Sequence, residues 1–270
     1  LTRPLVLSGQ AVGGAAPTVI GNLKVSGAEM TELVLDNLRF SGNGQALGCF
    51  ITVADADVNA SRILVRGCEI FGYKQSIIYD NVAGTVANVE FSNNLVHDFG
   101  AGQDFFDFRK GNYPVLTING NTFYNGGRTF LRMDASVNGG SIAVSNNTVN
   151  AFLNLQTSNN NGVLHVRGSF DNLSVTGNIF ANMVIEGETA KPTLMSGNAA
   201  AKKPTYMANN HFFNVSEGWF AVNAATYPEL DFKAEATGNG GSVLEADPFV
   251  DAAKADFSTT LNAGAPKWRK

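Results

Sequence analysis

Seven stretches of the chain share one pattern of alternating apolar and polar positions, a two-residue turn and a closing aromatic or β-branched residue. They are LVLDNLRF (Leu33–Phe40), ILVRGCEIF (Ile63–Phe71), VEFSNNLV (Val89–Val96), LTINGNTF (Leu116–Phe123), IAVSNNTV (Ile142–Val149), LSVTGNIF (Leu173–Phe180) and YMANNHFF (Tyr206–Phe213). With Asn37, Cys68, Asn94, Asn121, Asn147, Asn178 and Asn210 taken as the equivalent turn position, the steps are 31, 26, 27, 26, 31 and 32 residues. Period-two alternation buries one strand face, and short strands at one interval stack as parallel ladders about 4.8 Å apart. The spacing predicts an all-β fold, a right-handed single-stranded parallel β-helix (solenoid) of about seven to eight coils. The hand follows from the strong bias of parallel crossovers. Asparagine tolerates the left-handed backbone of such a bend, and its amide can bond to the same group one coil on; Cys68 interrupts that ladder. Phe71, Val96, Phe123, Val149, Phe180 and Phe212 form an interior column on this reading. The rival fold, a β-sandwich, predicts hairpin turns and no constant period.

The ends depart from the pattern as solenoid ends do, because a stack of strands exposes edges that must be covered. Residues 1–30 read as the N-terminal first coil or cap, 31–226 as the coils and 227–270 as a C-terminal coil or cap, in a single domain. In the tail, Ala246–Val250 and Ala255–Ser258 read as a closing segment in which Pro248 and Gly264 end strand pairing.

Between one turn and the next repeat lies a third strand: SIIYD (Ser76–Asp80), FFDFR (Phe105–Arg109), FLRMD (Phe130–Asp134) and VLHVR (Val163–Arg167). With Ile77, Tyr79, Phe106, Phe108, Leu131, Met133, Leu164 and Val166 facing inward, the outer face carries three columns. These are Asp80, Arg109, Asp134, Arg167; then Ile78, Asp107, Arg132, His165; then Ser76, Phe105, Phe130, Val163. Opposite charges side by side on a ladder stabilise it by roughly 0.2 to 1 kcal/mol each, so a solvated structural face is one reading. The other is a binding groove, since arginine forks onto carboxylate and sulfate while exposed aromatic rings suit the apolar faces of sugars.

Composition narrows the classes. The chain has 270 residues, 44% of them hydrophobic and 16% charged, with 29 glycines, which suits many strands and tight turns around a continuous core. A net charge of −4 gives no basic stripe of the kind nucleic-acid binding requires. No apolar run is long enough to span a bilayer, and without a start methionine the sequence reads, as an expectation, like a mature or trimmed piece. Cys49 and Cys68 are less than a coil apart and fall on different faces, with a disulfide left open.

The segments DFFDFRKG (Asp104–Gly111), TFYNGGRTFLRMDAS (Thr122–Ser136), VLHVRG (Val163–Gly168) and NIFANM (Asn178–Met183) resemble the pectate-lyase-like parallel β-helix superfamily. Within it, the chain is most similar to uncharacterised Bacteroidetes secreted or surface β-helix proteins. The resemblance implies that the third strand lines a polysaccharide groove, and that the protein is secreted or exposed at the bacterial outer membrane. It also implies a monomer that acts on an acidic polysaccharide or oligosaccharide, with a cell-surface glycan-uptake complex as a candidate partner. A weaker similarity to alginate and chondroitin lyases of this fold puts Arg109 or Lys110 in the place of their catalytic lysine and Arg132 in that of their arginine. The register is displaced by one or two residues.

β-Elimination from a uronate needs a base, a cation to neutralise the carboxylate and a proton donor for the leaving oxygen. Arg109, Lys110, Arg132 and His165 are the catalytic candidates, with Phe105, Asp107, Phe130, Asp134, Arg167 and Asp80 as substrate-binding residues. Against an arginine base stands the proton it normally keeps, held more firmly by neighbouring aspartates. Inverting hydrolysis is a second chemistry, because Asp107 and Asp134 lie on the order of 8 Å apart by strand geometry. Non-catalytic glycan binding or a structural surface role is the third reading.

Asp55, Asp57 and Asn59 have the spacing of a calcium loop but lack its glycine and distal glutamate, so Ca2+ is the sole cofactor to consider and a solvated turn the simpler account. His97 and His211 read as turn or surface residues. Trp219 and Trp268 read as packing groups or sugar platforms, packing being the simpler.

Overall fold

The computed structural model describes residues 1–10, 17–153, 162–184, 192–221, 227 and 229–269. Among them, three parallel sheets of eight, nine and seven strands wrap one core as a β-solenoid. The first sheet holds the alternating strands of the repeat, such as Thr85–Ser92, Asn112–Asn119 and Asn138–Ser145. The second holds the strands after the turn, such as Leu95–Phe99, Thr122–Gly126 and Thr148–Phe152. The third holds Ile78–Asp80, Phe106–Phe108, Leu131–Met133 and Gly162–Val166. Neighbouring strands in each sheet come from successive coils, so the strand backbones pair with those one coil away.

The turn between the first two sheets divides its work between two adjacent positions. Asn93, Asn146 and Asn209 take left-handed backbone, φ +55°, +52° and +51°, as do Gly67, Gly120 and Gly177 in the intervening coils. The next residue carries the ladder: Asn94, Asn121, Asn147 and Asn178 each donate Nδ2 to Oδ1 of the asparagine one coil on, at 2.9–3.0 Å. Asn37 belongs to the first position and not to the ladder, because Asp36 pairs with Arg66 and Leu38 thereby stands level with Cys68. Cys68 ends the ladder, its backbone N–H donating to Asn94 Oδ1 at 2.9 Å.

Along the left-handed position the sequence alternates without a break: Asn37, Gly67, Asn93, Gly120, Asn146, Gly177, Asn209. A side chain at Gly120 or Gly177 would place its Cβ 2.6 Å from Oδ1 of Asn93 or Asn146. Asn93 and Asn146 therefore fill the space that the glycine of the next coil leaves, and glycine is required at 120 and 177 by contact as well as by φ.

The interior column is Phe40, Ile70, Val96, Phe123, Val149, Phe180 and Phe212, every member at most 1% exposed. Phe71 lies one place beyond it and faces outward, stacked on His97 at 5.2 Å, which stacks on Tyr124 at 4.8 Å. His211 is buried and bonds Ser242 Oγ at 2.9 Å, and Trp219 is buried against Phe212. Cys49 and Cys68 are separate buried free thiols, and burial pushes the Cys68 thiol up to about 11.

The C-terminal stretch closes the molecule in two ways. A one-and-a-half-turn helix, Phe232–Thr237, is capped by Asp231 accepting from Ala234 N–H and lies over the last strand of the first sheet, burying Phe232 and Ala236. The chain then runs back across the outer face of the second sheet, where Phe249, Phe257 and Ala263 pack on Ile179 and Ala181. Trp268 joins this second cluster as a packing group.

Candidate functional site

Three-residue strands in the third sheet alternate in, out, in, so the central residue of each faces outward. Asp107 pairs with Arg132 and Arg132 with His165, giving the expected column. One coil earlier the register differs: Asp107 pairs with Tyr79, so Tyr79 is the outward residue and Ile78 and Asp80 face the core. The bare alternation in SIIYD fits both registers, and an aspartate at the core position hid the correct one.

Asp80 is buried because it has a structural task there. Its Oδ1 accepts the backbone N–H groups of Arg109 and Lys110 at 3.0 and 2.7 Å, and its Oδ2 accepts the Tyr113 hydroxyl at 2.6 Å. Burial raises its pKa and these bonds oppose the rise. Asp80 thus fixes the turn after the strand Phe106–Phe108, and the Lys110 side chain projects from that turn into solvent. Tyr113→Phe should lower stability by about 1.5 kcal/mol in a denaturant melt, the worth of a hydrogen bond to a buried charged group.

Phe105 and Phe130 are not a sugar platform. They are 3% and 0% exposed and stack at 5.9 Å inside a cluster with Phe106, Phe123 and Phe152. Two consecutive phenylalanines point inward here because the chain bends into the strand at Phe105, a corner that period-two counting does not register.

What remains outside is a continuous ion-paired face. Arg109 forks onto Asp107 through Nε at 3.1 Å and a terminal nitrogen at 2.8 Å, and reaches Gln103 Oε1 at 2.6 Å. Arg132 bridges two coils, bonding Asp104 at 2.9 Å and Asp134 at 2.8 Å, with its Nε 3.8 Å from Asp107. Arg128 pairs with Asp104 at 3.1 Å, and Arg167 with Asp134. Asp104 and Asp107 are fully buried beneath these guanidiniums, while the arginines keep 14–26% of their side chains exposed. Sequence reasoning missed Asp104, Arg128 and Gln103, which sit in the bends just before the strands, where no periodicity marks a face.

The electrostatics oppose an arginine base. The hydrogen bond to Asp107 raises the Arg109 pKa, while burial raises that of Asp107 against its arginine contacts. Asp107 and Asp134 are both engaged by guanidiniums, which leaves neither placed as the acid of an inverting pair. His165 differs in kind. It is fully buried, neither ring nitrogen has a hydrogen-bond partner among the described residues, and burial with the nearby Arg132 lowers its pKa to about 4. The Nε atoms of Arg132 and Arg167 are likewise buried without hydrogen-bond partners among the described residues.

Among the described residues no cluster of three or more His, Cys, Asp or Glu could hold a metal ion. Asp55 Oδ1 instead accepts the Asp57 backbone N–H at 3.0 Å, closing a short turn. No helix among the described residues is long and apolar enough to cross a membrane.

No curated protein and no solved structure matches the chain. A family model described as a domain of unknown function, DUF4957, matches residues 5–126, the part that builds the first coils and ends at the second-sheet strand just before Arg128.

Proposed function

We propose that this solenoid holds an acidic polysaccharide along the outer face of its third sheet without cleaving it. On this reading it is a pectate-lyase-like protein, similar to Bacteroidetes surface β-helix proteins, that is secreted or displayed on the bacterial outer surface. The observation that carries the reading is the set of four guanidiniums, Arg109, Arg128, Arg132 and Arg167, fixed on three successive coils and each partly exposed. Against Asp104, Asp107 and Asp134 they leave one net positive charge, and guanidiniums already held in place lose little entropy when they fork onto a ligand carboxylate or sulfate.

The test is affinity electrophoresis in gels containing alginate, pectin or chondroitin sulfate, run beside an ultraviolet assay for unsaturated uronate. Retardation without absorbance is expected. The double variant Arg128→Gln/Arg167→Gln should weaken the interaction at least tenfold, and raised salt should weaken the wild type. Migration unchanged by every polymer would overturn the proposal.

A second reading, uronate β-elimination, is favoured by one observation: beneath Arg132 the buried His165 imidazole is neutral and has no hydrogen-bond partner among the described residues, so it would serve as the base if substrate binding opened a path to it. It predicts a rise in absorbance with one of the polymers that His165→Gln abolishes.

A further inference from the structure

Where the C-terminal stretch crosses the second sheet, it leaves a half-open cleft of about 660 Å3, on a different sheet from the ion-paired face. One wall is the sheet, with Tyr124, Asn125, Asn150, Ala151 and Asn182; the other is Asp247 and the turn Ala252–Ala255. Both walls are pinned. Gly264 N–H donates to Gly177 O at 2.7 Å, Ala265 N–H to Thr148 Oγ1 at 3.1 Å, and the Tyr124 and Phe257 rings meet at 5.3 Å.

The sheet wall contains an anomaly. At the corner where the second-sheet strands bend, successive coils carry Gly72, Asp98, Asn125, Ala151, Asn182 and Asn214, all in left-handed backbone. Glycine, asparagine and aspartate are the residues that tolerate this conformation; alanine, at φ +54°, is strained there. Ala151 also breaks the chain of side-chain bonds at this corner. Asn125 donates to Asp98 and Asn214 to Asn182, but Asn182 turns aside to Asn150 Oδ1 at 2.7 Å. Across the cleft, Ala255 is left-handed too, at φ +58°. At position 151 alanine leaves open the space that an asparagine, as in the coils on either side, would occupy.

The lining selects the ligand class. Lys254 is tied to Asp251 at 2.7 Å, so an anion finds no free counter-charge among these residues. The amides would be stranded against an apolar ligand. A neutral sugar offers hydroxyls that both give to and take from amides and a carboxylate, while its C–H faces suit the small alanines. The Tyr124 ring is stacked on His97 on one side, so it contributes its edge and hydroxyl rather than a platform.

We propose that this cleft is a binding site for a neutral oligosaccharide of two or three pyranose units, separate from the charged face and independent of the function assigned to it. The experiment is saturation-transfer NMR with cellotriose, maltotriose, mannotriose and galactotriose, on the wild type, Ala151→Asn and Ala151→Gly. Ala151→Asn should raise Tm by about 2 °C by relieving strain, yet lose binding at least tenfold by filling the cleft. Ala151→Gly relieves the same strain and leaves the cleft open, so it should bind as the wild type does. No transfer to any trisaccharide, or transfer undiminished in Ala151→Asn, would overturn the proposal.

Discussion

Replacing Asn147 by alanine should lower the unfolding free energy by about 4 kcal/mol, measured by guanidinium denaturation. Its carboxamide is fully buried and makes four bonds at 2.8–3.0 Å: Oδ1 accepts the backbone and side-chain N–H groups of Asn121, and Nδ2 donates to Ile118 O and Asn178 Oδ1. Truncation removes all four bonds in a dry interior; Asn178 Oδ1 keeps the backbone N–H of residue 147 and Asn121 Nδ2 keeps Phe91 O, but the Asn121 backbone N–H loses its side-chain acceptor, and an unsatisfied buried group costs roughly 1–3 kcal/mol before relaxation. Asn94→Ala supplies the comparison. On its outer side stands only Cys68, whose backbone N–H is the single donor to Asn94 Oδ1, so a smaller loss of about 3 kcal/mol is expected. Equal and small losses at both positions would mean that the ladder is spatial coincidence rather than support.

The second large effect depends on pH. Folding takes the His165 imidazole from an ordinary value near 6.5 down to about 4, through burial and the nearby Arg132. The unfolded chain therefore binds the proton first as pH falls. Stability from this residue is complete above about pH 6.5 and is lost as pH falls toward 4. Between pH 7.5 and 4.5 the loss amounts to about 2.5 kcal/mol. His165→Leu, similar in volume and without the orphaned nitrogens, should remove that component. The measurement is the difference between wild type and variant in unfolding free energy at the two pH values, and a difference that does not change with pH would show that His165 keeps a partner for its proton.

The repeat was legible because parallel coils impose one interval on the sequence and because a buried amide in each turn is an uncommon residue choice. Placement within the turn was less legible. Asn37 satisfies the left-handed position and Asn94 the ladder position, and both are asparagine for different physical reasons. The charged column Asp107, Arg132, His165 could be read from alternation, whereas Asp80 could not. A carboxylate pointing inward is affordable only because two backbone N–H groups and Tyr113 meet it, and those partners lie about thirty residues downstream. Phe105 and Phe130 were misplaced for the opposite reason. The bend before each strand lets two neighbours face the core, and no periodicity describes a bend. Ala151 shows nothing in isolation; only its alignment with Asn125 and Asn182 makes it conspicuous.

The alternation of asparagine and glycine at the left-handed position sets a rule for how such a molecule can grow. Because Asn93 and Asn146 lean into the vacancies above Gly120 and Gly177, neighbouring coils are not interchangeable at this stretch of the corner, and the unit that repeats there by translation is a pair. Removing one coil there would set asparagine against asparagine or glycine against glycine, a pairing this corner does not contain, while removing two restores the match. Lengthening or shortening that preserves the pairing of Asn93 with Gly120 and of Asn146 with Gly177 is therefore expected to proceed by even numbers of coils.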